Sequence, residues 1–362
     1  MVKVTLEGIT HIYDKRVTAV KDLNVVFSDG EFTVLLGPSG CGKTTTMRII
    51  AGLIRPTMGK VYFDDEDVTD LPAEKRNISM VFQFPVVYTP MTIYDNLAFP
   101  LKVKRLSKEE IRKRVKEIAE FLGIQQYLDI KPIGISADIK QKVALGRALI
   151  KESGLLLLDE PLTNIDPKAR IELREKILEI KRKLKQTVIY VTHDQAEALT
   201  LADKIGVMKD GKMIQYDAPD EIYSKPKNTF VAWFIGNPGM NLVNATLGEM
   251  KDKYYIDLKG LMIHVPREVG EALKERLTDE EIIFGIRPEH VDVYKKKVGD
   301  ALPGKCVTVE DWASLMIATV KIGEIELKVK TSLPLEEGEE LWLRFPIDKI
   351  KIFNKQGELI YG

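Results

Sequence analysis

Short, uninterrupted apolar runs alternate with longer segments of helical spacing through the first two-thirds of the chain. Phe32-Thr33-Val34-Leu35-Leu36, Gly154-Leu155-Leu156-Leu157-Leu158-Asp159 and Thr187-Val188-Ile189-Tyr190-Val191-Thr192 lack polar alternation, as strands covered on both faces of a parallel sheet do. Residues 45–53 place Met47, Ile50 and Ala51 on one helical face and stop at Gly52. Ser107-Lys108-Glu109-Glu110 opens a second helix as a capping box, with Ile111, Val115, Ile118 and Leu122 on one side. The first seven residues alternate like an edge strand rather than a leader peptide. Beyond the turn formers Gly236-Asn237-Pro238-Gly239, residues 253–258, 282–285, 306–309, 315–320, 325–329 and 341–345 read as strands of a small barrel or sandwich. The pattern therefore predicts an α/β domain over residues 1–236 and an all-β domain over residues 237–362.

Composition narrows the class of function. With 362 residues, 44% hydrophobic and 30% charged, the chain reads as two globular domains rather than a disordered polymer. Lys+Arg 54 against Asp+Glu 54 leaves no net basic field, which argues against nucleic acid as a partner. No run of eighteen apolar residues occurs, so the expectation is a soluble, cytoplasmic protein that partners must hold if it works at a membrane. Cys41 and Cys306 are too few for a disulfide framework or a metal quartet.

The candidate chemistry begins at Gly37-Pro38-Ser39-Gly40-Cys41-Gly42-Lys43-Thr44, between the first apolar strand and the first helix. The spacing G-x-x-x-x-G-K-[ST] in that context is a phosphate-binding loop, whose glycines turn backbone N–H groups toward phosphate oxygens at a helix N-terminus. Lys43 would neutralise the β- and γ-phosphates of ATP and the Thr44 hydroxyl would ligate Mg²⁺, with Thr45 among the ATP-binding positions. Asp159 and Glu160 stand at the carboxyl end of a buried strand, where ligands gather in open α/β sheets. Asp159 would hold Mg²⁺ through water, and Glu160 would polarise the attacking water. His193 would place an imidazole on the γ-phosphate, and the Gln83 amide would ligate Mg²⁺ and report the γ-phosphate to the loop that follows. Tyr13 is placed to stack on adenine.

In this order the residues resemble the ATPase subunit of ATP-binding cassette (ABC) transporters: Tyr13, Gly37 to Thr44, Gln83, a signature near Ser136, Asp159-Glu160, Asn164-Ile165-Asp166 and Thr192-His193-Asp194. The segments Gly37 to Lys43, Met91-Thr92-Ile93-Tyr94-Asp95-Asn96-Leu97-Ala98-Phe99-Pro100-Leu101, Phe230-Val231-Ala232-Trp233-Phe234-Ile235-Gly236 and Gly285-Ile286-Arg287-Pro288-Glu289-His290 are similar to the carbohydrate-import branch. That resemblance implies a P-loop NTPase cassette, with a helical subdomain at about 88–152, followed by an oligonucleotide/oligosaccharide-binding-type (OB) barrel that regulates or dimerises. It further implies transmembrane permease partners, an extracytoplasmic solute-binding protein acting indirectly, and a place on the cytoplasmic face of the plasma membrane. Asp166 takes the position of the loop that faces the second cassette.

One departure stands out. Where the family has Leu-Ser-Gly-Gly-Gln, this chain has Ile135-Ser136-Ala137-Asp138-Ile139. In the family the signature of one cassette covers ATP held by another, and its glycines admit a backbone N–H to the γ-phosphate. A carboxylate ~5 Å from that phosphate, at an effective dielectric of ~20, is worth about 3 kcal/mol of repulsion. A milder reading has Asp138 capping its own helix and pointing away. Since Glu160 and His193 are kept while the surface offered to a partner is altered, the expectation is pairing with a second, different ATPase subunit, as in polyol importers. Two other classes compete. A soluble ABC ATPase of DNA repair or translation lacks support from any coiled-coil insertion or basic arm, and a non-hydrolytic regulatory subunit is opposed by the intact Glu160 and His193.

Overall fold

The computed structural model describes residues 2–183, 186–250, 253–277 and 280–362. The chain forms two compact units, Met1–Pro219 and Asp220–Gly362. The sequence-based division after Gly236 falls inside the second unit, beyond the short helices Pro219–Ser224 and Thr229–Phe234.

The first unit is organised by a six-stranded sheet in the order Lys212–Asp217, Lys204–Lys209, Phe32–Leu36, Thr187–Thr192, Leu155–Asp159, Ile78–Val81. All neighbours are parallel except the first pair. Every residue of the three central strands is buried, which is why their sequences are apolar runs rather than alternations. The helices Lys43–Ala51, Pro167–Lys183 and Gln195–Leu201 follow the carboxyl ends of these strands and so bring their N-termini to one edge of the sheet. Gly52, at φ 72°, ends the first of them.

A second sheet is antiparallel, in the order Val17–Phe27, Val4–Tyr13, Met58–Phe63, Glu66–Asp67. The N-terminal strand is therefore interior and not an edge. Its alternation reflects one face buried through Val4, Leu6 and Ile9, and one-sided burial is compatible with a neighbour on either flank. The helices Ile93–Val103, Lys108–Leu122 and Ala137–Ile150 fill the stretch between Gln83 and Leu155. The capping box forms by half. Ser107 Oγ accepts from Glu110 N at 3.2 Å, while the Glu110 carboxylate pairs with Arg114 at 2.6 Å instead of returning to the cap.

The second unit packs a six-stranded sheet, Leu261–Val265, Lys253–Leu258, Asn241–Met250, Glu281–Ile286, Lys351–Asn354, Leu359–Tyr361, with a five-stranded one, Asp292–Tyr294, Glu340–Arg344, Leu302–Asp311, Met316–Ile322, Ile325–Thr331. One core, including Ile256, Phe284, Val320 and Leu343, is shared by both. Helix Arg267–Arg276 and strand Asn241–Met250 were not legible as such in the sequence pattern. Arg287 is fully buried. Its guanidinium lies 3.5 Å over the Tyr223 ring and donates to the carbonyls of Tyr223 and Ile235, and burial lowers its pKa to about 10. It stays charged at neutral pH, and its hydrogen bonds tie both short helices to the barrel.

Candidate active site

The phosphate loop is shaped by close backbone approaches. A Cβ at Gly37 would lie 2.3 Å from the Met208 carbonyl oxygen, and one at Gly42, where φ is +104°, would lie 2.4 Å from that of Ala19. Neither position admits a side chain without a backbone shift. Pro38, Ser39 and Gly40 are exposed at the tip, while Cys41, Gly42 and Lys43 are buried beneath it. The Lys43 ammonium donates to the carbonyls of Gly37 at 2.7 Å and Pro38 at 2.9 Å, and lies 3.7 Å from Cys41 Sγ. Among the described residues no carboxylate is within ion-pair distance of it. A buried cation with only neutral acceptors at a helix N-terminus suits an anion. Burial pushes the Cys41 thiol up, and Lys43 offsets this only in part, so the sulfur stays protonated at neutral pH. Tyr13 ends its strand with its hydroxyl 3.4 Å from Thr45 Oγ1, which brings the ring beside the same helix; His11 meets it edge-on at 4.5 Å.

Thr44 Oγ1 donates to Asp159 Oδ1 at 3.1 Å, joining the loop to the last residue of Leu155–Asp159. Burial holds the Asp159 carboxyl above the usual range; the Thr44 hydroxyl and the charges of Arg48 and Lys43 work against it. Glu160 then turns into the left-handed region at φ 45°, uncommon for a residue with a side chain and of order 1–3 kcal/mol in strain. Its N–H donates to the Val191 carbonyl at 3.0 Å, which fixes that turn to the neighbouring strand. The carboxylate collects three groups on one oxygen: Gln83 Nε2 at 3.1 Å, Thr163 Oγ1 at 3.2 Å and His193 Nδ1 at 3.3 Å. Glu160 is 17% exposed and His193 54%, so the pair opens to solvent on the imidazole side. Asn164 Nδ2 donates to the Gln83 carbonyl at 3.2 Å, and Asp166 Oδ1 caps helix Pro167–Lys183 through the N–H groups of Lys168 and Ala169.

Two features escaped sequence reasoning. Thr163 is close to Glu160 because the chain turns tightly after it, and a hydroxyl three residues on was the only available signal. Glu197 is buried and bonded to Tyr190 and Thr192, a contact across the strand-to-helix bend that no local pattern announces.

The signature residues are not drawn to the chain's own phosphate loop by any hydrogen bond or ion pair among the described residues. Ser136 is the N-cap of helix Ala137–Ile150 without a side-chain capping bond, and Ser136 and Ala137 are exposed. Asp138 sits half-buried in the first turn, with no hydrogen-bonding or ion-pair partner for its carboxylate among the described residues. It does not cap the helix.

The donor set suits a hard cation shared with a phosphate ligand. Among the described residues no three His, Cys, Asp or Glu side chains converge as a metal cluster. The Thr44 hydroxyl, the Asp159 carboxylate to which it donates and the Gln83 amide oxygen, whose amide nitrogen is engaged with Glu160, are candidate oxygen donors at this end of the sheet. So few protein oxygens match Mg²⁺, which keeps waters and takes substrate phosphates as ligands.

A protein-family model described as ABC transporter matches residues 20–163, and one described as MalK OB fold domain matches residues 236–291. The trehalose/maltose import ATP-binding protein MalK of Thermococcus litoralis is 41% identical over 355 residues, covering 94% of each chain. The oligosaccharides import ATP-binding protein MsmX of Bacillus subtilis is 38% identical over 366 residues, covering 99% of each. Among solved structures, the dimeric ATP-binding cassette MJ0796, in a post-hydrolysis state bound to ADP and Pi, aligns with a TM-score of 0.55 at 30% identity. It covers 60% of this chain and 98% of that one.

Proposed function

The chain belongs to the ABC transporter ATP-binding family, in the branch that carries a MalK-type OB domain, and on that premise we propose that it drives import of a sugar or polyol. It is an ATPase. The reading rests above all on the Glu160 carboxylate, which gathers Gln83, Thr163 and His193 within 3.3 Å at the sheet edge that also carries Lys43, Thr44 and Asp159. Relatives named for trehalose, maltose and oligosaccharide import support the solute class.

Each residue has a role in this proposal. Lys43 leaves its two carbonyl partners for the β- and γ-phosphates, and the N–H groups between Gly37 and Thr45 cradle them. Tyr13 stacks on the adenine. Glu160 orients and polarises the attacking water, and His193 donates to the γ-phosphate. Thr44, Asp159 and Gln83 would hold Mg²⁺, which supplies charge neutralisation to the phosphates when bound.

The partner surface is the finer part of the reading. An unpartnered Asp138 carboxylate in the first turn of Ala137–Ile150, beside an exposed Ser136 and Ala137, supports a chain that offers a weakened signature and therefore pairs with a second, different ATPase subunit. Toward the C-terminal end of the same helix a groove of about 340 Å³ is lined by Tyr88, Phe99, Val103 and Arg147. Arg147 stacks 4.5 Å over Tyr88 and donates to the Val86 carbonyl at 2.6 Å. Residues 86–91 would there follow a cytoplasmic permease helix, holding at the membrane face a chain in which no described helix is long and apolar enough to cross. The test is ATP-stimulated uptake of labelled sugars and polyols by vesicles containing the chain, the permeases and a binding protein. No ATP-dependent uptake of either solute class would overturn the importer reading.

A further inference from the structure

We propose that Glu197 is the positioning residue for His193, holding the bend that carries the imidazole through a closed ring of hydrogen bonds. The inference rests on the reading of His193 as a phosphate-facing group.

His193 stands between the end of strand Thr187–Thr192 and the helix Gln195–Leu201. Glu197, only 5% exposed, comes back from that helix beneath the bend. Its Oε2 accepts the hydroxyl of Tyr190 at 2.8 Å and that of Thr192 at 2.7 Å. These two residues are two apart in a strand and share a face, so one carboxylate oxygen can serve both. A threonine hydroxyl has one proton, and here it is committed to Glu197. The Thr192 oxygen therefore presents a lone pair, and it accepts the Asp194 N–H at 3.0 Å. Asp194 Oδ1 closes the ring by accepting the N–H groups of Ala196 at 2.8 Å and Glu197 at 3.2 Å. Of the residues on either side of His193, Thr192 is held by the buried carboxylate directly and Asp194 through the Thr192 hydroxyl, while the imidazole itself is left to Glu160.

Filling this space with a carboxylate is an expensive choice. Burial raises the Glu197 carboxyl above its usual range, and among the described residues no cation pairs with it. The charge of Arg170 reaches the site, yet the buried Arg170 Nε has no hydrogen-bond partner. Packing alone would be better served by a hydrocarbon. What a hydrocarbon cannot do is dictate the direction of the Thr192 hydroxyl.

The test measures the single-turnover ATP hydrolysis rate of the complex of the full-length chain with its partner subunits, and the affinity of the full-length chain for a fluorescent ATP analogue. Glu197→Leu and Thr192→Val should each slow turnover roughly ten- to a hundredfold, with affinity changed less than about twofold, because the bend and not the phosphate loop is disturbed. The double variant should be no slower than the slower single one, since both break the same ring. Glu197→Gln, which keeps an oxygen acceptor, should stay within about threefold of the unmodified chain. Unimpaired turnover in Glu197→Leu, a matching loss of affinity, or multiplicative effects in the double variant would overturn the proposal. Thr192→Val alone decides it if Glu197→Leu does not fold. His193→Ala separates the two layers. If that variant turns over normally the role of His193 is wrong, whereas slow His193→Ala beside normal Glu197→Leu rejects only the positioning role.

Discussion

Glu160 Oε2 and His193 Nδ1 lie 3.3 Å apart, one at the end of each of two adjacent parallel strands, with the Glu160 N–H bonded to the Val191 carbonyl two residues before the histidine. The backbone of the sheet therefore sets the spacing of the two groups. Glu160→Gln keeps the shape but cannot take up a proton, so turnover should fall by about 10²–10⁴ while ATP binding persists. Steady-state hydrolysis by the variant complex checks this, and a normal rate would assign the water to another group.

Lys43→Ala removes the one ammonium seated in the loop. Micromolar Mg-ATP binding measured by calorimetry should disappear, a loss of about a hundredfold or more in affinity. Retained micromolar binding would remove the phosphate loop from the mechanism.

Glycines in the same loop should differ in their tolerance. At Gly37 a methyl group meets the Met208 carbonyl oxygen at 2.3 Å, whereas at Gly40 it meets nothing within 4 Å and faces only the strain of φ +78°. Gly37→Ala should destabilise the fold by roughly 1–3 kcal/mol and abolish ATP binding, and Gly40→Ala by about 1–2 kcal/mol. Thermal melting with nucleotide titration ranks them, and equal behaviour would show that the loop relaxes freely.

The signature offers a gain-of-function test. Ala137→Gly with Asp138→Gly removes an unpartnered carboxylate and should recover up to about 3 kcal/mol of ATP-dependent association in Glu160→Gln protein. Light scattering with and without the two glycines reads it. A tight homodimer from the unmodified signature would leave the second-subunit proposal without support.

Stability should also depend on pH at Glu197. Burial raises its carboxyl pKa above the usual value, more than the Thr192 and Tyr190 hydroxyls lower it, so the folded state binds the proton more tightly than the unfolded one. The stability it contributes is present at low pH and is lost as pH rises from the ordinary glutamate value through the raised one. Glu197→Gln, neutral throughout, should melt higher than the unmodified chain at pH 7 and show no advantage below about pH 4. A lower melting temperature for the variant at pH 7 would mean that the ionised carboxylate is net stabilising.

Much of this was legible in the sequence because the relevant physics is local. Gly37 to Thr44 is a turn that only its own residues can make, and the buried strands ending at Asp159 and Thr192 announce themselves by unbroken apolar runs. The neighbour of a strand is not local information, so the N-terminal strand looked like an edge. Glu197 reads as an ordinary helical glutamate until Tyr190 and Thr192 are folded against it. Nothing local to Arg287 announces that the carbonyls of Tyr223 and Ile235 converge on it from residues far away in the chain.

The two carbonyls that hold the Lys43 ammonium make the loop a self-ligated host. On the proposed reading, nucleotide entry would be an exchange reaction in which anionic oxygens compete with the Gly37 and Pro38 carbonyls for the same nitrogen. A guest that does not reach Nζ leaves this internal competitor in place, so adenosine or AMP should lose more affinity than a count of missing phosphates implies. Discrimination by phosphate-chain length would then be a property of the loop's own carbonyls rather than of any partner.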